Sequence, residues 1–184
     1  MKTLYESLAQ QFAVSDFRQR RSDQAFLTVR KEHAPPLLTH LRDYRGFTRL
    51  SFLTAVDFME RGVFQLTYML NHPTDHRDLG IHVEIDRKEP EMISVHPLWE
   101  QVKTYQRELK EMFGIDFPGS PGVDDSFILE GWEEKPPMRR DFDTRAYSEK
   151  TYFPAPGRET HDPREHMKKK LYPEGDSGKK GGGG

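Results

Sequence analysis

Hydrophobic positions along this chain repeat with two different periods, and the switch between them marks the elements. Leu4, Tyr5, Leu8 and Phe12 recur at helical spacing and predict a short first helix. Two brief strands follow near 17–20 and 25–30, with Ser22-Asp23 turning between them. Pro35 and Pro36 suit the opening turn of a helix. Leu37, Leu38, Leu41 and Tyr44 supply its apolar stripe, and Gly46 stands where a C-terminal cap belongs. Three strands with period-two alternation come next. Leu50, Phe52, Val56 and Phe58 should share one face of the first. Phe64, Leu66, Tyr68 and Leu70 should do so in the second, and Leu79, Ile81, Val83 and Ile85 in the third. Arg61-Gly62 closes a hairpin between the first two.

The order is therefore α-β-β-α-β-β-β, an α+β two-layer sandwich with two helices on one face of a sheet. A longer helix follows at about 96–113, with Ser94 as its cap and Pro97 in its first turn. Leu98, Trp99, Val102, Tyr105, Leu109, Met112 and Phe113 give it a broad apolar face, while Glu100, Lys103, Arg107, Lys110 and Glu111 lie mostly elsewhere. Residues 114–142 then form a long loop rich in proline and glycine. Loops of that length inside compact domains are functional or disordered. Disordered ones rarely carry Phe117, Phe127, Ile128, Leu129 and Trp132, so this loop is expected to be ordered and to dock on something. From 143 to 184 aliphatic residues almost vanish, and the chain closes in Gly-Gly-Gly-Gly. The expectation is one domain over 1–142 and an extended, partly disordered tail over 143–184, whose middle could lie across a partner.

Composition narrows the chemistry. With 34% hydrophobic and 32% charged residues the surface is heavily solvated, and a net charge of −2 supplies no clustered basic field for nucleic acid. Cysteine is absent, which excludes disulfides and thiolate-held iron–sulfur clusters in this chain. No run approaches the ~20 apolar residues of a membrane helix, and no signal-peptide core is visible, so a soluble chain is expected. His72, His76 and His82 near one loop, with His161 and His166 in the tail, match no zinc-ligand spacing. Solvated loop histidines are the simpler reading. Asp124-Asp125 and Glu133-Glu134 are adjacent carboxylates in polar loop, with nothing to signal the burial that acid–base catalysis needs. No nucleophile elbow, Walker loop or dinucleotide fingerprint is present.

Several segments together resemble a known family. Arg107-Glu108-Leu109, Met112-Phe113-Gly114-Ile115, Phe117, Gly119 and Pro121, then Gly131-Trp132 and Arg139-Arg140-Asp141-Phe142, resemble the 30 kDa subunit of respiratory complex I. In bacteria this is the C subunit of NADH-quinone oxidoreductase, with relatives in membrane-bound energy-converting hydrogenases. Upstream, Leu50, Thr54-Ala55-Val56-Asp57 and Phe64-Gln65-Leu66-Thr67-Tyr68 match its strand pair, so the likeness covers roughly 47–145. The chain departs from the pattern in three places. Gln106 stands where glutamate is usual, Ser120 where histidine is usual before an altered run from Gly122 to Ser126, and Met138 where leucine is usual.

The resemblance implies a cofactor-free accessory subunit in the hydrophilic arm of a complex-I-type oxidoreductase. It would pack on the large 49 kDa-type, hydrogenase-like subunit and other arm subunits. Iron–sulfur clusters, flavin and quinone would sit in those partners. The chain would be peripheral, on the cytoplasmic face of the inner membrane, and would touch the membrane only through them. Interface candidates are Arg107, Glu108, Phe113, Phe117, Trp132, Arg139, Arg140 and Asp141. For the charged members an intramolecular brace that pins the loop to the helix stays equally open. The equivalent subunit of a membrane-bound hydrogenase is the neighbouring alternative, and a free-standing enzyme with its active site in the loop is the alternative from another class.

Overall fold

The computed structural model describes residues 1–152. Met1–Phe142 forms one compact unit, and a second begins at Asp143. The first unit contains helix α1 (Lys2–Ala9), strands β1 (Val14–Gln19) and β2 (Gln24–Val29), helix α2 (Ala34–Arg45), strands β3 (Arg49–Phe58), β4 (Val63–His72) and β5 (Arg77–Asp86), and helix α3 (Val102–Phe113). The sheet order is β1-β2-β5-β4-β3. Neighbours are antiparallel except β2 and β5, which run parallel because α2 carries the chain from β2 to the far edge before β3-β4-β5 meanders back.

One face of the sheet is buried, and all three helices lie on it. Leu8 of α1, Leu37, Leu38 and Leu41 of α2, and Val102, Leu109 and Phe113 of α3 join a single cluster with the inward residues of the strands. Leu66, Tyr68 and Leu70 of β4 and Leu79, Ile81 and Val83 of β5 occupy its centre, as their alternation predicts. α2 ends at Gly46 in the left-handed conformation, where its stripe stops.

The first alternating strand behaves differently. Leu50 is buried, but Phe52 and Val56 are 39% and 45% exposed. The cause is a bulge. Leu50 opposes Leu70 and Phe52 opposes the very next residue, Met69, so Ser51 is an extra residue without a partner. Because strand side chains alternate, one inserted residue exchanges the two faces of everything beyond it. From Phe52 on, the inward residues are therefore Leu53, Ala55 and Asp57, not Phe52, Val56 and Phe58.

The segment entering α3 also corrects the expected boundary. Residues 96–101 form turns, and the helix begins at Val102. Ser94 is no cap: its hydroxyl donates to Gln106 Oε1 at 2.7 Å. The non-helical geometry lets side chains reach the outer edge of β3. Trp99 Nε1 donates to Thr48 O at 2.8 Å, Gln101 Nε2 to Leu50 O at 2.9 Å and Tyr105 Oη to Ser51 O at 3.1 Å. These bonds satisfy the carbonyl of the bulged Ser51 and two carbonyls just before it.

In the second unit, α4 (Thr144–Tyr152) stands where an extended tail was expected. Asp143 explains its start, since Oδ1 accepts from the amides of Arg145 and Ala146 at 3.1 and 2.9 Å. Arg145 and Glu149 pair one turn apart at 2.9 Å. The tail residues Phe153, Pro154, Met167, Leu171 and Tyr172, with His161 and His166, lie outside the described residues.

The bulge makes a testable demand. Deleting Ser51 should abolish cooperative thermal unfolding, because Asp57 and its neighbours would turn outward. Ser51→Ala should change stability by no more than ~0.5 kcal/mol, since the side chain is exposed and only its backbone is used. A deletion variant that melts like the parent would show that something else sets the phase of β3.

Candidate functional site

The loop after α3 is built on that helix's last turn. Gly114 ends α3 at φ 73°, a left-handed value that glycine adopts without strain. A Cβ there would lie 3.2 Å from Pro136 Cγ, so the bare backbone also lets the returning end of the loop pack close. Phe113 is 8% exposed and meets Phe64 edge-on at 5.9 Å, and Phe117 is fully buried. Both candidates thus face the interior of this chain, carry the loop from beneath, and offer little surface to a partner.

Side chains on the last turns of α3 then fix the loop backbone. Lys110 Nζ donates to Asp116 Oδ1 at 2.8 Å and also to Asp124. Glu111 accepts three successive amides, from Phe127 at 2.7 Å, Ile128 at 2.8 Å and Leu129 at 3.0 Å. Burial pushes the Glu111 carboxyl up, but these three donors and the nearby Arg107 charge outweigh it and hold the group below its usual range. Met138 N donates to Met112 O at 2.9 Å as the chain returns along the helix.

The far end of the loop is tied to the sheet through Asp57, which the bulge turned inward. Its side chain is 1% exposed. Arg87, just past β5, holds it with Nε and Nη2 at 2.8 and 3.0 Å, and Arg140 N donates to Oδ2 at 2.9 Å. Burial alone would raise this carboxyl. The Arg87 hydrogen bonds, the Arg140 amide, and the charges of Arg87 and Arg139 outweigh it and keep the group below the usual carboxylate range. Arg87 Nη2 also donates to Asp141 Oδ1 at 2.6 Å, and Lys135 Nζ reaches Asp141 Oδ2 at 2.9 Å. The Lys135 bond, opposed by partial burial and reinforced by Arg87, pulls Asp141 far down as well.

The remaining candidates sort by direction. Arg139 points inward: it lies over the Phe64 ring at 5.2 Å and donates weakly to Phe113 O and Arg87 O, each at 3.4 Å. Arg140 points outward, its side chain 51% exposed and paired to Glu60 at 2.6 Å. Trp132 donates to Lys135 O at 3.1 Å and leans on Phe142 at 5.7 Å. Arg107 covers the Phe127 ring at 5.5 Å. Half-buried Glu108 has no ion pair or hydrogen bond among the described residues. The structure thus brings Arg139, Arg140 and Asp141 together around Asp57 and Arg87, and places Arg107 and Glu108 on the outer side of α3.

Asp57, Arg87, Lys110 and Glu111 were absent from the sequence-based candidates. A lone carboxylate between Val56 and Phe58 near a hairpin was the available signal for Asp57; nothing local marks Arg87. Among the described residues no group of three or more ligand-type side chains could hold a metal ion. His72 instead packs edge-on against Phe47, and His82 stacks on Phe26.

Comparison with known proteins follows the same lines. The family model for the respiratory-chain NADH dehydrogenase 30 kDa subunit matches residues 27–148, more than half of the chain. The chain belongs to this family. The NADH-quinone oxidoreductase C subunit of Moorella thermoacetica is 31% identical over 125 residues, covering 65% of this chain and 80% of that one. The chain spans between 52% and 80% of the length of three relatives of this name. Two solved structures share the fold. A chain of the membrane-bound sulfane sulfur reductase, an archaeal respiratory membrane complex, aligns with TM-score 0.74 at 23% identity, over 88% of this chain and 95% of its own. A trypsin-resistant fragment of Nqo5 aligns with TM-score 0.55 at 22% identity, over 65% and 96% respectively.

Within the 30 kDa family pattern, the departures now have surroundings. Gln106 is fully buried, where a neutral amide is easier to accommodate than the usual carboxylate, and it accepts from Ser94. Ser120 is also buried. Asp124, in the altered run, is one of the two carboxylates held by Lys110.

Asp57→Ala should cost about 3–5 kcal/mol in urea unfolding, because Arg87 would be left without its buried partner. A loss under about 1 kcal/mol would mean the pair is solvated and dispensable. The acid response follows from the same groups. Asp57, Glu111 and Asp141 all titrate lower in the folded chain than in the unfolded one. Their stabilisation is complete above the unfolded value of about 4 and is lost as pH falls below it through the depressed folded values. Stability should therefore drop on acidification below about pH 5. Glu111→Gln should flatten part of that slope and speed hydrogen exchange at Phe127, Ile128 and Leu129. Unchanged exchange there would rule out Glu111 as the loop's anchor.

Proposed function

We propose that this chain is a non-catalytic accessory subunit in the hydrophilic arm of a complex-I-type NADH-quinone oxidoreductase. On this reading it packs against the large quinone-site subunit and supports electron transfer coupled to ion translocation. The flavin, iron–sulfur clusters and quinone belong to partner subunits. The chain sits peripherally at the cytoplasmic face of the membrane. Family membership makes it a subunit of a multi-subunit respiratory complex. Among the described residues no helix is long and apolar enough to cross a membrane, so attachment would run through partners.

The observation that carries this reading is the state of the loop. It is fastened to its own domain from within by Phe117, Glu111 and the Asp57–Arg87 pair, yet it leaves Ile128 and Met138 at 69% and 58% exposed. A solvated loop gains nothing from holding apolar side chains outward on a fixed backbone. A docking element does, because the ordering entropy has been spent before association. Glu108 and Arg107, on the outer side of α3, extend the same contact surface.

A neighbouring reading is the equivalent subunit of a membrane-bound hydrogenase-type complex. The altered run after Gly119, with Asp124 drawn onto Lys110, changes the surface that a large subunit would meet.

Ile128→Asp and Met138→Glu should leave thermal melting of the isolated chain within about 2 °C of the parent, since both side chains are exposed. Co-purification with the large subunit should fall at least ~tenfold, the effect of a desolvated interface position. Arg140→Ala provides the contrast: its side chain meets only exposed Glu60, so the fold should lose ~0–1 kcal/mol. Intact co-purification of both loop variants would remove the loop from the interface.

A further inference from the structure

The sheet face opposite the helices has no covering element in the first unit, and its residues are not those of a solvated sheet. The register brings Phe52 beside Met69 and Val56 beside Gln65 at the β3 end. Phe52 and Val56 are 39% and 45% exposed. In the middle, Phe26 stacks on His82 with the ring planes 11° apart, and His82 Nδ1 lies 3.0 Å from Thr67 Oγ1. Gly80 permits this arrangement. A Cβ at residue 80 would lie 2.3 Å from the Phe26 ring, so its absence lets the ring rest on the strand and keeps the face flat. At the β1 end, Arg18 and Arg20 project over a groove of about 540 Å³.

The charges there are unbalanced. The groove also contains Asp16, Glu84 and Arg61, but Arg61 is committed to Glu84 at 2.6 Å. Among the described residues neither Arg18 nor Arg20 has an ion pair. The face therefore grades from exposed apolar side chains at one edge to unpaired guanidinium groups at the other. Apolar contact flanked by charge is the composition of a protein interface, and arginine is among its preferred anchors.

We propose that this open face is a second docking surface, taken by an element of a neighbouring subunit that carries aliphatic side chains beside carboxylates. The aliphatic side chains lie over Phe52 and Val56, and the carboxylates meet Arg18 and Arg20. The surface is separate from the loop: it lies on the opposite side of the sheet from α3. The proposal rests on the subunit reading above, because a free-standing enzyme would have no such neighbour.

The absence of cysteine in the chain makes the test direct, since one introduced thiol is unique. Val56→Cys is labelled with a maleimide in the isolated chain and in the purified complex, with Tyr44→Cys on the exposed side of α2 as the reference. Labelling of Val56→Cys should fall about tenfold or more on assembly, as burial at an interface core requires. A benzophenone-maleimide at the same position should cross-link to an Asp- or Glu-bearing peptide of another subunit. Adding Arg18→Glu with Arg20→Glu should reduce that cross-link by about tenfold, since like charges would now oppose. Equal labelling in free and assembled chains, with co-purification intact, would overturn this proposal and leave the subunit reading standing. A cross-link only to a second copy of this chain, or one insensitive to the two charge reversals, would overturn the acidic-partner assignment. Failure to co-purify with any larger subunit would overturn the subunit reading and this proposal with it.

Discussion

A carboxylate cannot remain charged in a protein interior unless something replaces its water, and Asp57 is almost completely enclosed. Arg87 and the Arg140 amide supply that replacement from two directions. Three segments far apart in sequence are thereby forced to one point: the end of β3, the end of β5 and the closing run of the loop. The bulge at Ser51 turns the carboxylate inward, and without that turn Arg87 would lose its two-pronged partner and keep only Asp141 and the Phe64 ring. The arrangement ties the position of the loop to the end of the sheet through one carboxylate.

This coupling bears on function through geometry. α3 fixes the start of the loop with Lys110 and its middle with Glu111, and the sheet fixes its end through Asp57. The exposed Ile128 and Met138 are therefore held at fixed positions relative to Arg107 and Glu108 on α3. The loop and the outer side of α3 thus form one braced surface in a chain of the respiratory-chain 30 kDa subunit family.

Much of the first unit was legible because alternation and turn chemistry are local. β4 and β5 bury the residues their pattern predicted, and the caps at Gly46 and Gly114 end their helices where the stripes end. The failures share a cause. Ser51 carries no mark of a bulge, since the extra residue is defined by its partner strand, and so the phase of Phe52 and Val56 was misjudged. The apolar residues Leu98 and Trp99 looked helical, although they pack from turns. Asp57 and Arg87 meet 30 residues apart, a pairing that no local spacing encodes. The resemblance singled out Arg139, Arg140 and Asp141 as a group but gave no direction for each. Backbone geometry decides that Arg139 braces and Arg140 faces out.

The three bonds from Trp99, Gln101 and Tyr105 to the rim of β3 have a consequence for the life of the chain before it meets any neighbour. A bare outer strand is a template on which identical molecules can stack through their main chains. With the carbonyls of Thr48, Leu50 and Ser51 already taken, and a kink between them, that template is interrupted where stacking would begin. A chain that exposes apolar side chains such as Phe52 and Val56 is at risk of aggregating with its own kind. Here the indole, amide and phenol that shape the entry to α3 also occupy the part of that rim nearest the bulge.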